Sequence, residues 1–123
     1  MSLQIVYLAC PYTHPDLKVR EQRWHLATKA AVHLARLDFV VYSPITMTHP
    51  MDVLMNEDGG TLGSDYWVRF DEAFMEHCSM MYILTVDGWF ESRGIKRETH
   101  FFRSRLRPVE YLSPAEVELA WSK

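Results

Sequence analysis

Three acidic residues stand where chemistry could use them. Asp71 falls inside an apolar arc of helical spacing made by Tyr66, Trp67, Phe70, Phe74, Met75 and Cys78. Asp87 closes the apolar run MMYILTV and is followed by Gly88. Glu98 lies soon after a helix start. It sits about 60° from the centre of the inward stripe Ile95, Thr99, Phe102 and Leu106, counting about 100° per residue. A carboxylate among apolar side chains either finds a partner or takes up a proton. Two carboxylates in unlike environments, one as nucleophile or cation stabiliser and one as acid, suit cleavage of a glycosidic bond. Each also has a plain structural use. Asp71 can pair with a neighbouring loop, Asp87 can be the first half of an Asp-Gly turn, and Glu98 can stabilise the positive end of its helix.

Around these carboxylates stand groups that fit a ligand. Ser92, Arg93 and Gly94 open the helix that carries Glu98, so backbone N–H groups, a hydroxyl and a cation converge there as in a weak phosphate site. Tyr7 lies in the first apolar run, and Pro11, Tyr12, His14 and His49 lie in the loops beyond the strands. Taken singly, each histidine reads as a surface or capping residue. Trp89 and Phe90 suit a lid over a flat ligand, or a contact between subunits.

The elements that must position these residues alternate. LQIVYLAC (3–10) has the continuous apolar pattern of a strand buried on both faces, stopped by Pro11. A long helix over 16–37 begins at Pro15 and Asp16, with Leu17, Trp24, Ala27, Ala31 and Ala35 on its inner stripe. DFVVYSP (38–44) is a second strand. Residues 45–63, with Pro50, Gly59, Gly60 and Gly63, read as one long irregular segment. Ser64 or Asp65 caps a helix over 64–78. Residues 80–86 make a third strand, roughly 93–105 a helix, and 107–112 a shorter strand. Ser113 and Pro114 start a final helix. Such alternation predicts one α/β domain over 1–123, with a parallel sheet, helices on both faces and right-handed crossovers. The loops after Cys10, Tyr42 and Val86 all leave carboxyl ends of strands, where ligands of such sheets bind.

Composition narrows the partners. A net charge of −3 argues against nucleic acid polymers as partner. No apolar run approaches a membrane span, and no signal peptide precedes the first strand. Cys10 and Cys78 are too few and too far apart for a metal site or disulfide framework, and read as reduced thiols of a cytoplasmic protein.

Three stretches carry a resemblance. YLACPY (7–12), FDEAFMEHCSMMYILTVDG (70–88) and SRGIKRE (92–98) resemble, in order, the Tyr-Leu-Ala-x-Pro opening, the helix with an early Asp and the strand ending in Asp-Gly, and the Gly-x-x-x-Glu of the nucleoside 2-deoxyribosyltransferase superfamily. Small bacterial and phage members sharing Ser-Pro-Ile, His-Pro and Glu-Ser-x-Gly are the nearest likeness. The resemblance implies a doubly wound, flavodoxin-like sheet of four to five strands and an enzyme that cleaves the N-glycosidic bond of a nucleoside or its 5′-monophosphate. Glu98 would be catalytic, held by Tyr7, with Asp71 and Asp87 at the base and a 5′-phosphate at Ser92 and Gly94. No metal or cofactor is implied, and a homo-oligomer, dimer or tetramer, is. Two departures stand out. Cys10 replaces the usual Gly, and ELAWSK lacks the asparagine-bearing tail that completes a neighbouring transferase site. Hydrolysis is therefore as consistent as transfer, and a nucleotide-binding module without turnover is the alternative.

Overall fold

In the computed structural model, residues 4–122 are described. Leu3, the expected first residue of the opening strand, lies outside them. The chain forms strands β1 (Ile5–Ala9), β2 (Val40–Tyr42), β3 (Met80–Leu84) and β4 (Val109–Leu112), with helices α1 (Leu17–Arg36), α2 (Pro44–Asp58), α3 (Ser64–Met75), α4 (Arg93–Ser104) and α5 (Pro114–Trp121). All strand pairs are parallel, in the order β2-β1-β3-β4. This is the three-layer, flavodoxin-like α/β fold. Among the described residues no helix is long and apolar enough to cross a membrane.

Alternation along β1 divides the core. Val6 and Leu8 face Ala27, Ala30 and Leu34 of α1, Ile45 of α2 and Val117 of α5. Tyr7 and Ala9 face Met75 of α3, Cys78, and Ile95 and Phe102 of α4. A central parallel strand must be apolar on both faces, which is why its sequence runs without a polar break. The chain leaves β1 toward β2 and returns to β3 on β1's other side. The switch point of the sheet is therefore the crevice beyond the carboxyl ends of β1 and β3.

Local chemistry fixes several boundaries differently from expectation. Asp16 is the N-cap of α1 and accepts from the Lys18 N–H, so Pro15 stands outside the helix. The inner stripe of α1 is Ala27, Ala30 and Leu34, while Leu17 and Ala35 face solvent. Neither Ser64 nor Asp65 caps α3; Gly63 does, without a side-chain bond. Leu106 is not part of α4's inward stripe: it lies beyond the helix end at φ 57°, almost wholly exposed, with Arg107 N–H returning to the Phe102 carbonyl. Glu98 takes the inward place instead. The start of α5 follows expectation, with Ser113 and Glu116 forming a reciprocal capping box. Trp121 is pinned to α1, its Nε1 donating to the Lys29 carbonyl at 3.1 Å.

The largest difference is α2. Residues 44–58 are helical, not irregular. Pro50 lacks the N–H that would bond the carbonyl of residue 46. Trp24 Nε1 donates to that Thr46 carbonyl at 3.3 Å, so a side chain from α1 replaces the missing bond. Pro44 opens the helix and Gly59, at φ 79°, closes it in the left-handed region.

Candidate functional site

Glu98 is the central feature. It projects from the second turn of α4 into the sheet and is buried, although it is an acid. The Tyr7 hydroxyl, wholly buried in β1, donates to Glu98 Oε2. Burial pushes the Glu98 carboxyl up to about 8, and nearby Asp71 adds to this, while the Tyr7 bond and the Arg97 guanidinium oppose it. Burial likewise pushes Asp71 up to about 6, opposed by Arg97. Two carboxyls with separated affinities thus share one electrostatic environment. Between those limits the pair carries a single proton. Tyr7 keeps its own proton, since burial and the Glu98 charge raise it well above the ordinary tyrosine value.

These groups line an open cavity of about 840 Å³ at the switch point, a size suited to a small ligand. Tyr7, Pro11, Tyr12, Asp71, Gly88, Ser92, Gly94 and Glu98, all anticipated from sequence, are in its wall. Ser92 caps α4 through its hydroxyl, which accepts from the Ile95 N–H at 3.2 Å. Gly94 follows inside the first turn, and a Cβ there would meet nothing closer than the Ser92 hydroxyl at 3.8 Å. Gly88, at φ 90°, does need to be glycine: a Cβ would lie 3.3 Å from an Arg23 nitrogen. That guanidinium donates to the Asp87 carbonyl at 2.9 Å and the Thr13 carbonyl at 3.3 Å, tying together the loops after β1 and β3.

Two anticipated residues are not brought to the cavity. Asp87 is exposed and contributes its carbonyl to Arg23 rather than its carboxylate to the site. Trp89 faces a separate hollow of about 350 Å³ with Thr99, His100 and Tyr111. The physical reason is a tight turn: β3 ends at Leu84, and Val86 and Trp89 fold back through bonds to the Leu84 and Val86 carbonyls. That turn swings the indole toward the Tyr111 ring, 5.6 Å away. Of the histidines, His14 only accepts from the Asp16 N–H, and His49 is buried in α2 against Trp24.

Several wall residues went unnoticed in the sequence: Arg20, Arg23, Thr48, Asp52 and Arg97, whereas Arg93, read there as the cation at the opening of α4, is in the wall as well. The arginines are ordinary helix-surface residues by pattern. Only the folding of α1, α2 and α4 around one crevice gathers them. Cys10 also lines the cavity, but burial pushes its thiol up to about 12, so it is no nucleophile near neutral pH. Among the described residues no three His, Cys, Asp or Glu side chains gather as a metal site.

A comparison with curated proteins gives no match. A family model does match residues 4–113, nearly the whole of the fold described above. On that match the chain belongs to the family described as a domain of unknown function, DUF1937.

Proposed function

We propose that the protein cleaves the N-glycosidic bond of a nucleoside or nucleoside 5′-monophosphate. The observation that carries this reading is a buried glutamate, hydrogen-bonded by a buried tyrosine and electrostatically coupled to a second carboxyl, at a ligand-sized cavity. The ionised Glu98 attacks C1′ or stabilises its developing cation. The C1′–N bond breaks, and its electron pair leaves with the base. Asp71 in its protonated form gives that base a proton. In the covalent route, water or a second base then attacks C1′ and the bond to Glu98 breaks, which makes the reaction a hydrolysis or a transfer.

The proton shared by the pair rests on Glu98 in the free protein and must lie on Asp71 when the bond breaks. Reverse assignments of this kind still give a bell-shaped profile. Tyr7 is a positioning residue: its bond favours the ionised form of Glu98 and fixes one oxygen, leaving the other for C1′. The opening of α4 at Ser92 and Gly94, with Arg93 and Arg97 in the same wall, suits a 5′-phosphate. Asp87, outside the cavity, has no place in this scheme. Free thiols at Cys10 and Cys78 suit a reducing compartment such as the cytoplasm.

The experiment is a panel of ribo- and deoxyribonucleosides and their 5′-monophosphates, each with and without a second free base, resolved by chromatography beside a Glu98→Ala control. Free base from the wild type alone is expected. A new nucleoside in the two-base tubes assigns transfer. Nucleotide-induced stabilisation with no base released from any substrate contradicts the enzymatic reading and favours a binding module.

A further inference from the structure

A second polar cluster lies in the same cavity, on the other face of the sheet from Glu98. Arg20 of α1 and Asp52 of α2 approach at 3.6 Å, too long for a hydrogen bond. Arg20 Nε is buried and has no hydrogen-bond partner among the described residues. Asp52 Oδ2 accepts from the Tyr12 hydroxyl at 2.8 Å, and that same oxygen of Tyr12 lies 2.6 Å from His49 Nδ1. A tyrosine hydroxyl has one proton. Once it is donated to Asp52, the tyrosine oxygen accepts from His49 Nδ1–H. Burial lowers the His49 affinity for a second proton, which keeps the ring neutral in that tautomer. The ring is stacked on Trp24, centroids 4.8 Å apart. A relay of His49, Tyr12 and Asp52 therefore holds one carboxylate still beside a guanidinium whose buried Nε lacks a partner among the described residues.

Fixed orientation without satisfaction is what a recognition pair looks like before its ligand arrives. The cluster is not a phosphate site, because the Asp52 charge beside Arg20 repels an anion. An acceptor-only carboxylate next to a donor-only guanidinium matches a neutral planar edge bearing an N–H donor beside an acceptor. Resting on the glycosidic reading above, we infer that Arg20 and Asp52 read the hydrogen-bonding edge of the leaving base and select it. The sugar is anchored at Glu98 and the opening of α4, so the ring cannot turn over, and the order of donor and acceptor along its edge becomes decisive.

The test is calorimetric binding of the full chain to cytidine, uridine, adenosine and inosine 5′-monophosphates and to ribose 5-phosphate. Each amino–oxo pair reverses the order of donor and acceptor at two adjacent edge positions, the exocyclic group and the neighbouring ring nitrogen. The wild type is expected to prefer one member of at least one pair about tenfold or more. Asp52→Asn, whose amide both donates and accepts, should reduce that ratio to within about threefold. Tyr12→Phe, which keeps Asp52 but frees it, should give an intermediate ratio and carries the test if Asp52→Asn does not fold. Ribose 5-phosphate should bind all three proteins alike. Equal affinity for the four nucleotides, no nucleotide binding, an Asp52→Asn ratio equal to wild type, or equal losses for nucleotides and ribose 5-phosphate each overturn the assignment. Selective binding without base release by the wild type leaves it standing and overturns the glycosidic reading instead. Base release with a selectivity indifferent to Asp52 does the reverse.

Discussion

Glu98 and Tyr7 set the expectations at the scale of single residues. The folded carboxyl of Glu98 takes up its proton more tightly than in the unfolded chain, about 8 against 4.5. The folded state then binds more protons between those values, so this group costs stability as pH rises from about 4.5 to 8 and adds no further cost above that. Glu98→Gln mimics the neutral form. Denaturant unfolding at pH 9 should show the variant more stable than wild type by on the order of a few kcal/mol, at about 1.4 kcal/mol per unit. At pH 4 to 5 the difference should vanish. Wild type equal to or above the variant at pH 9 contradicts the buried acid.

Tyr7→Phe removes a bond that favours the ionised glutamate. Its kcat/KM profile, bell-shaped with limbs near 6 and 8 in wild type, should move its alkaline limb upward as well as fall in height. A lower profile with unmoved limbs would assign Tyr7 to packing alone. Gly94 offers the converse case. The protein leaves room for a methyl there, so Gly94→Ala should raise stability by up to about 1 kcal/mol through helix propensity. The same methyl sits in the cavity wall, and phosphate-bearing ligands should bind the variant about tenfold more weakly, a loss titration would read.

At the scale of elements, α2 shows where sequence reading stops. Periodicity identified the four strands and four of the five helices, because each has an apolar pattern that local rules can recognise. Residues 44–58 carry a proline in the middle and glycines at the end, and their local preferences are those of a loop. The helix stands because an indole from α1 supplies the bond Pro50 cannot, a contact visible only when both elements are placed. Arg20, Asp52 and the His49 relay were missed for the same cause: α2 had to be a helix before Asp52 could meet Tyr12. The carboxyl-end loops told more. β1 with the stretch after it and the first turns of α4 carried Tyr7, Pro11, Tyr12, Ser92, Gly94 and Glu98 to the cavity as anticipated, since strand direction alone determines which end they occupy. Asp87 and Trp89 were misplaced by a turn whose hydrogen bonds no spacing rule encodes. Trp24→Phe should cost about 1 to 3 kcal/mol by denaturant unfolding, by leaving the Thr46 carbonyl unpaired. A variant as stable as wild type would mean that α2 does not depend on that bond.

On the scale of the whole molecule, one sheet separates two polar ends of one crevice. From one face α3 and α4 bring the carboxyl pair and the α4 opening; from the other α1 and α2 bring Arg20 and Asp52. Phe74, near the end of α3, and Leu62, before its start, are each about two-fifths exposed. Homo-oligomerisation, a further part of our proposal, would cover them, and sedimentation should report a dimer or tetramer that Phe74→Glu weakens. A wild type monomeric at all concentrations rejects that part alone.

The central claim, that Glu98 breaks a glycosidic bond, is tested most directly by single-turnover base release from the nucleotide that wild type turns over fastest. Wild type and Glu98→Gln should bind it with affinities within about threefold of each other. The variant should release base at least about a thousandfold more slowly. Release by Glu98→Gln at the wild-type rate would contradict the account.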